Sequence, residues 1–224
     1  MTAKRIVIFL LVAAITFCAT FSVCANTQDQ TNYFDTVIID AGHGGFDGGT
    51  TGGKILEKDV NLNIALNLAN LVRFLGFKVI LTRDGDYALN TAGSSIHDKK
   101  ISDMQNRLKI IEEHKNALFI SIHQNYYPGA KVSGSQVFYG EENARSQNAA
   151  RIIQESIARY LQPQNNRKIK AATKDIFLLY NAKSPAVLIE CGFMSNPDEL
   201  NKMQDSKYTL KLCMCIGAAI RNAM

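Results

Sequence analysis

Apolar positions in this chain fall into short β-branched runs separated by longer stretches with helical spacing. Thr36–Ile39, Phe77–Thr82, Leu118–Ile122 and Ala186–Ile189 read as strands, because brief apolar runs bounded by glycine or polar residues suit strands buried on both faces. Between them, Glu57–Gly76, a segment opening at Ser102 and running to about His114, and Asn143–Tyr160 repeat apolar residues every third or fourth position, so helices are expected there. Gly76 reads as a C-cap, and Ser102-Asp103-Met104-Gln105 has capping-box form. Arg83 to Lys100 reads as a polar loop. A short strand near an edge is expected over Gly134–Tyr139 and another over Ile176–Leu179, with closing helices over Pro197–Gln204 and Lys207–Arg221. This alternation predicts an α/β fold: a single domain with a mostly parallel twisted sheet flanked by helices.

The amino end stands outside this pattern. Lys4-Arg5 precede an apolar run from Ile6 through Phe21, and Val23 and Ala25 occupy the small-residue positions that a signal peptidase reads. Residues 1–25 are therefore expected to be a signal peptide, or a membrane anchor with a tether through residues 6–25. A linker over 26–34 and a catalytic domain over 35–224 follow, and the domain is expected outside the cytoplasmic membrane. The net charge of +5 is dispersed and forms no basic stripe, which argues against nucleic acid as a partner and is compatible with an acidic polymer such as a cell wall. Of five cysteines, Cys18 and Cys24 lie in the leader. Cys191, Cys213 and Cys215 read as buried free thiols.

Candidate chemistry gathers at strand ends. The first strand runs into Asp40-Ala41-Gly42-His43-Gly44-Gly45, and the loop through Thr50 holds five glycines. Functional groups of α/β sheets cluster at the carboxyl ends of strands. His43, His123 and Glu190 are expected there, with Glu57 opening the first helix. Two imidazoles and a carboxylate with an open position suit a catalytic zinc ion, and imidazole favours zinc over magnesium or calcium. Plainer roles exist for each. A strand-end histidine is often a hydrogen-bonded structural group, the role expected of His97 and His114. Glu57 could simply favour the helix dipole, and the glycine loop could cradle phosphate, although it lacks the Lys-Ser/Thr of a P-loop. Glu190 follows an apolar run, where an unpaired carboxylate is costly and desolvation should raise its pKa.

Asp40-Ala41-Gly42-His43-Gly44-Gly45, Leu56-Glu57-Lys58, Leu81-Thr82-Arg83, Ser121-Ile122-His123-Gln124-Asn125 and Glu190-Cys191-Gly192-Phe193-Met194-Ser195-Asn196 resemble, in order, the motif series of the zinc-dependent N-acetylmuramoyl-L-alanine amidases. The resemblance implies an amidase-type zinc hydrolase fold with one zinc per chain held by His43, Glu57 and His123, and Glu190 as the catalytic carboxylate. It implies hydrolysis of the amide between N-acetylmuramic acid and L-alanine in peptidoglycan. Asn125, Arg83 and the Gly44–Gly49 loop are candidates for positioning that substrate. Gly134–Tyr139, Asn165-Asn166-Arg167 and Pro185–Cys191 are similar to the spore cortex, germination-related subgroup. That subgroup implies stem-peptide removal ahead of muramic δ-lactam formation and functional pairing with a polysaccharide deacetylase. It implies location in the cell wall or the forespore intermembrane space, and leaves room for an accessory protein. Gln124 and Tyr180 depart from the family pattern, where many relatives have Ala and a basic residue. The competing readings are a zinc peptidase cutting within the stem peptide and a non-catalytic wall-binding module. The latter should lack one of the four residues, and all four are present.

Overall fold

Thr36–Ala41 (β1) is buried along nearly its whole length, and the sheet extends from both of its edges. The computed structural model describes residues 34–128 and 131–223; the leader expected over 1–25, and the linker up to residue 33, lie outside the described residues. Lys78–Leu81 (β4) flanks β1 on one side, and Leu118–Asn125 (β5), Ala186–Phe193 (β8), Gln136–Tyr139 (β6) and Lys170–Ala171 (β7) follow in that order on the other. β4, β1, β5 and β8 are mutually parallel. β6 runs antiparallel to β8 and parallel to β7. Thr51–Gly52 (β2) and Ile55–Leu56 (β3) form a separate small hairpin.

Side chains alternate between the two faces of each strand. Val37, Ile39, Leu118, Ile120, Val187 and Ile189 pack on one face against the helices Glu57–Phe74 (α1), Ala144–Tyr160 (α3) and Ser206–Asn222 (α6). Ile38, Phe119, Ala186 and Leu188 lie on the other, beneath Ile96–Glu112 (α2) and Phe177–Asn181 (α4). Pro197–Gln204 (α5) joins the end of β8 to α6. Burial on both faces explains the unbroken apolar runs. It stabilises the fold by roughly 1.5–3 kcal/mol for each large side chain removed from water. The α2/α4 face changes character along the strands: Ile38 gives way to Asp40, Phe119 to Ser121 and His123, Leu188 to Glu190. Its carboxyl edge is therefore polar, and the site forms there. Among the described residues no helix is long and apolar enough to cross a membrane.

Three expectations need correction. α2 begins at Ile96, not Ser102, and the capping box is Ser95 with Asp98. Ser102 instead accepts hydrogen bonds from the N–H groups of Thr91 and Ala92. The first turn of α2 is exposed apart from the half-buried Lys99, so it carries no apolar periodicity. Ile176–Leu179 is not a strand; Phe177–Asn181 is helical, with Leu178 and Leu179 buried. A four-residue apolar run does not distinguish the two by period. His123 and Glu190 are not strand-terminal, because β5 continues to Asn125 and β8 to Phe193. Polar residues near an edge still belong to the ladder.

Candidate metal centre

The loop after β1 is built around one imidazole. The Gly42 N–H still pairs with the Ile122 carbonyl at 3.1 Å, and a Cβ on Gly42 would overlap the His123 ring, so only glycine lets these strands close at that point. His43 then adopts φ 63°, a left-handed conformation that costs a non-glycine residue about 1–2 kcal/mol. Two buried arginines hold the strained segment by three successive carbonyls. Arg83 donates through Nε to Ala41 O (2.9 Å) and through Nη2 to Gly42 O (3.0 Å). Arg107 donates through Nη1 to Ala41 O (3.0 Å) and through Nη2 to His43 O (2.8 Å). Arg107 also pairs with Asp40 and with Asp103, and Asp40 accepts from Thr82 Oγ1 (2.7 Å) and Ser121 Oγ (2.5 Å). Burial disfavours the Asp40 charge, but Arg107 and the two hydroxyls outweigh it and hold its pKa below the usual value.

Glu57 is the meeting point of the site. It opens α1, is 3% exposed, and receives Thr50 N–H on Oε2 (2.9 Å) and Gln124 N–H on Oε1 (3.1 Å). Its Oε2 lies 3.2 Å from His43 Nε2 and its Oε1 3.1 Å from His123 Nδ1. The two rings meet edge to face, with centroids 5.0 Å apart. Asn61, one turn along α1, donates to Glu57 Oε1 (3.2 Å) and accepts from Gln124 Nε2 (3.1 Å). Asp47 Oδ2 lies 2.9 Å from His43 Nδ1, which orients that ring. Burial opposes the charge on His43, but hydrogen bonds to Asp47 and Glu57 prevail and lift its pKa to about 9. Burial likewise opposes ionisation of Glu57, and the two histidines overcome it and lower its pKa. One donor atom from each of His43, Glu57 and His123 lies within 4.8 Å of the others, a set that can hold one metal ion. Gly49 belongs to this cradle, since a Cβ there would stand 2.6 Å from Glu57 Oε2 and 2.7 Å from His43 Cδ2.

Glu190 is opposite His123 in the β5–β8 ladder, so both side chains emerge on the same face. Its Oε2 is buried without a hydrogen-bond partner. Burial, reinforced by the nearby Glu57 charge, raises its pKa to about 7. The cleft holding it measures about 410 Å³, with Met104, Ile176, Phe177 and Leu188 on its apolar wall. A carboxyl in that setting can exchange a proton near neutral pH.

His43, Glu57, His123 and Glu190 thus come together from four places in the chain. Asn125 ends β5, half-buried, outside the lining of that cleft. Arg83, expected to position substrate, is fully buried with its guanidinium committed to backbone carbonyls, Lys58 O (2.8 Å) and Gly85 O (3.0 Å) among them. It shapes the loop and cannot reach a ligand. His97 is exposed, and His114 Nδ1 lies 2.9 Å from Ile110 O; neither joins the cluster. Sequence reasoning missed Asp47, Asn61 and Arg107. Asn61 follows Glu57 by four residues on a helix, a usable signal; Arg107 reaches His43 across 64 positions and gives none.

Comparison with known proteins agrees with this geometry. The protein family described as N-acetylmuramoyl-L-alanine amidase matches residues 37–222. The germination-specific N-acetylmuramoyl-L-alanine amidase of Bacillus subtilis is 39% identical over 185 residues, which cover 82% of this chain and 77% of that protein. The amidase LytC of the same organism is 29% identical over 184 residues, 81% of this chain and 34% of LytC. The CwlD amidase of Clostridioides difficile, solved in complex with the GerS lipoprotein, matches with a TM-score of 0.81 at 37% identity, over 84% of this chain and 98% of that one.

Proposed function

The chain belongs to the N-acetylmuramoyl-L-alanine amidase family, and from that membership we propose that it cleaves its amide with one zinc ion held by His43, Glu57 and His123, Glu190 carrying the proton. The observation that supports this most is the convergence of three donor atoms within 4.8 Å beside a buried, unpartnered carboxylate oxygen of Glu190. Two imidazoles and one carboxylate leave an open coordination position, as hydrolytic zinc sites require. When bound, the ion supplies a Lewis acid that polarises the scissile carbonyl and acidifies the attacking water.

The substrate is the amide joining the lactyl carbonyl of N-acetylmuramic acid to L-alanine. Glu190 accepts a proton from the attacking water and then delivers it to the alanine nitrogen, which would otherwise be a very poor leaving group. A pKa of about 7 suits both steps. Asp47 keeps the His43 ring in place, and the Asn61–Gln124 pair fixes Glu57, so neither ligand must reorganise. Asn125 remains a candidate for a substrate contact. Mass spectrometry of digested peptidoglycan tests the assignment: free stem peptides are expected, whereas clipped stems would make the chain a peptidase and unchanged material would remove the activity.

The biological setting is proposed from the relatives. A germination-specific amidase of B. subtilis among them favours action on spore cortex ahead of muramic δ-lactam formation, with a polysaccharide deacetylase exposing the amine that closes the ring. A lipoprotein bound to the C. difficile relative makes an accessory protein reasonable here as well. Export through residues 1–25, as signal peptide or anchor, takes the domain to the cell wall or the forespore intermembrane space. Deleting the gene should leave cortex without muramic δ-lactam; normal lactam content would return the substrate to the vegetative wall.

A further inference from the structure

The sheet edge that carries Glu190 also borders a second cleft, of about 780 Å³ against about 410 Å³ for the catalytic one. Strand pairing fixes its place. Gln136 lies opposite Glu190 in the β6–β8 ladder, and β6 runs the other way, so the chain entering it through Val132, Ser133 and Gly134 crosses the edge at which Glu190 opens. Those residues form one wall. The turn after α3, through Asn166 and Arg167, and the α5–α6 junction form the others. The volume is within the roughly 300–1,000 Å³ typical of ligand clefts.

The chemistry of this cleft is one-sided. Arg167, Lys202, Lys207 and Lys211 line it, and the ion pairs among the described residues all lie elsewhere. The acids in its walls are engaged in holding the backbone. Glu199 accepts the N–H groups of Gly134 and Phe193, each at 2.9 Å, and Asp205 caps α6 by accepting from Lys207 N at 2.9 Å. Arg167 is half-buried and fixed: Nε donates to Ser133 O (2.9 Å) and the guanidinium stands 4.8 Å from the Phe193 ring centroid. Its Nη1 lies 3.5 Å from Gln136 Oε1, which connects the basic cleft to the strand position facing Glu190. Concentrated positive charge in a concave, partly enclosed place focuses its field on anions.

We propose, on the footing of the amidase reading, that this cleft holds the carboxylates spaced along a peptidoglycan strand while another segment of the same strand occupies the catalytic cleft. Hydrolysis itself creates such groups. The C–N bond of the lactyl amide breaks, a C–O bond to the water oxygen forms, and both water protons end on the alanine nitrogen, which leaves as an ammonium. A neutral amide thereby becomes a lactyl carboxylate on the glycan. Uncut stem peptides bring carboxylates of their own, with the same affinity for Lys and Arg. The basic cleft lies by the helices of one sheet face and the catalytic cleft by those of the other, so a strand occupying both would cross the carboxyl edge of the sheet between them, near Gln136 and Arg167.

The test uses the zinc-loaded exported domain and the triple variant Lys202→Ser, Lys207→Ser, Lys211→Ser, three exposed positions outside the catalytic set. Binding is read by co-sedimentation in a Glu190→Gln background so that strands are not cut. The ligands are intact peptidoglycan, glycan stripped of stem peptides, and glycan whose carboxylates have been amidated. Turnover of a soluble muramyl dipeptide is read with Glu190 intact. The triple variant should turn over the dipeptide as the parent does and bind strands about ten-fold more weakly, since exposed charge contacts each contribute modestly. Added salt and amidation should bring the parent down to the variant's level. Tighter binding to stripped than to intact strands assigns the lactyl carboxylates, and the reverse assigns those of the peptide; either supports the cleft. Equal strand binding by parent and variant, indifference to amidation, or affinity only for an acidic protein overturns it. Failure of the amidase reading would show separately, as absent dipeptide turnover by the parent.

Discussion

Glu190→Gln is the most informative single change, because its effect on stability can be worked out separately from its effect on rate. The Glu190 pKa is raised from 4.5 to about 7, chiefly by burial. A group whose folded pKa lies above its unfolded value binds an extra proton in the folded state between the two, so its contribution to stability is full below about 4.5 and is lost as pH rises through about 7. At about 1.4 kcal/mol per pH unit, that gap corresponds to about 3 kcal/mol. The amide that replaces the carboxyl has no titratable proton. In metal-free protein, the stability of Glu190→Gln relative to the parent should therefore improve by about 3 kcal/mol between pH 4 and pH 8. Urea unfolding of both proteins at half-unit pH steps measures the difference, and subtracting the curves cancels titrations common to both. A difference that stays flat across that range would refute the desolvated carboxylate. In the zinc-loaded protein the same change should lower turnover by roughly 10² to 10⁴ with zinc retained.

Three further outcomes are expected. Glu57→Gln and His123→Ala should lose zinc after dialysis, measured by plasma mass spectrometry, whereas Glu190→Gln keeps about one ion per chain; stoichiometric zinc in His123→Ala would remove that residue from the ligand set. Gly49→Ala places a methyl 2.6 Å from Glu57 Oε2 at φ 68°, so both melting temperature and zinc content should fall, and unchanged zinc would show that the cradle tolerates a Cβ. Arg83→Met strips donors from the carbonyls of Ala41, Gly42 and Lys58 and should cost about 3 kcal/mol or more in urea unfolding; a variant as stable as the parent but with raised KM would return Arg83 to the substrate.

The four residues that converge at the candidate metal centre were legible in the chain because each sits where a local pattern breaks. His43 interrupts a glycine loop, His123 and Glu190 follow apolar runs, and Glu57 opens a periodic segment. Strand and helix periods, being local, also carried the parallel α/β architecture. Boundaries were less readable wherever one apolar side chain more or less changes nothing locally, as at the exposed first turn of α2 and the short run that became α4. What the chain alone left open was which groups touch. Sequence set Glu57 at a helix start and Glu190 after a buried run, pointing to different roles; the fold adds their partners, giving Glu57 hydrogen bonds from Thr50, Asn61 and Gln124 and leaving Glu190 Oε2 with none. Arg83 was a candidate for positioning substrate and is instead a buried clamp, with Arg107, on the carbonyls around His43. Periodicity records which face of an element meets apolar surroundings. Desolvation and hydrogen-bond partners depend on residues tens of positions away, so the partners that hold Glu57, and their absence at Glu190 Oε2, are decided by the closed tertiary structure.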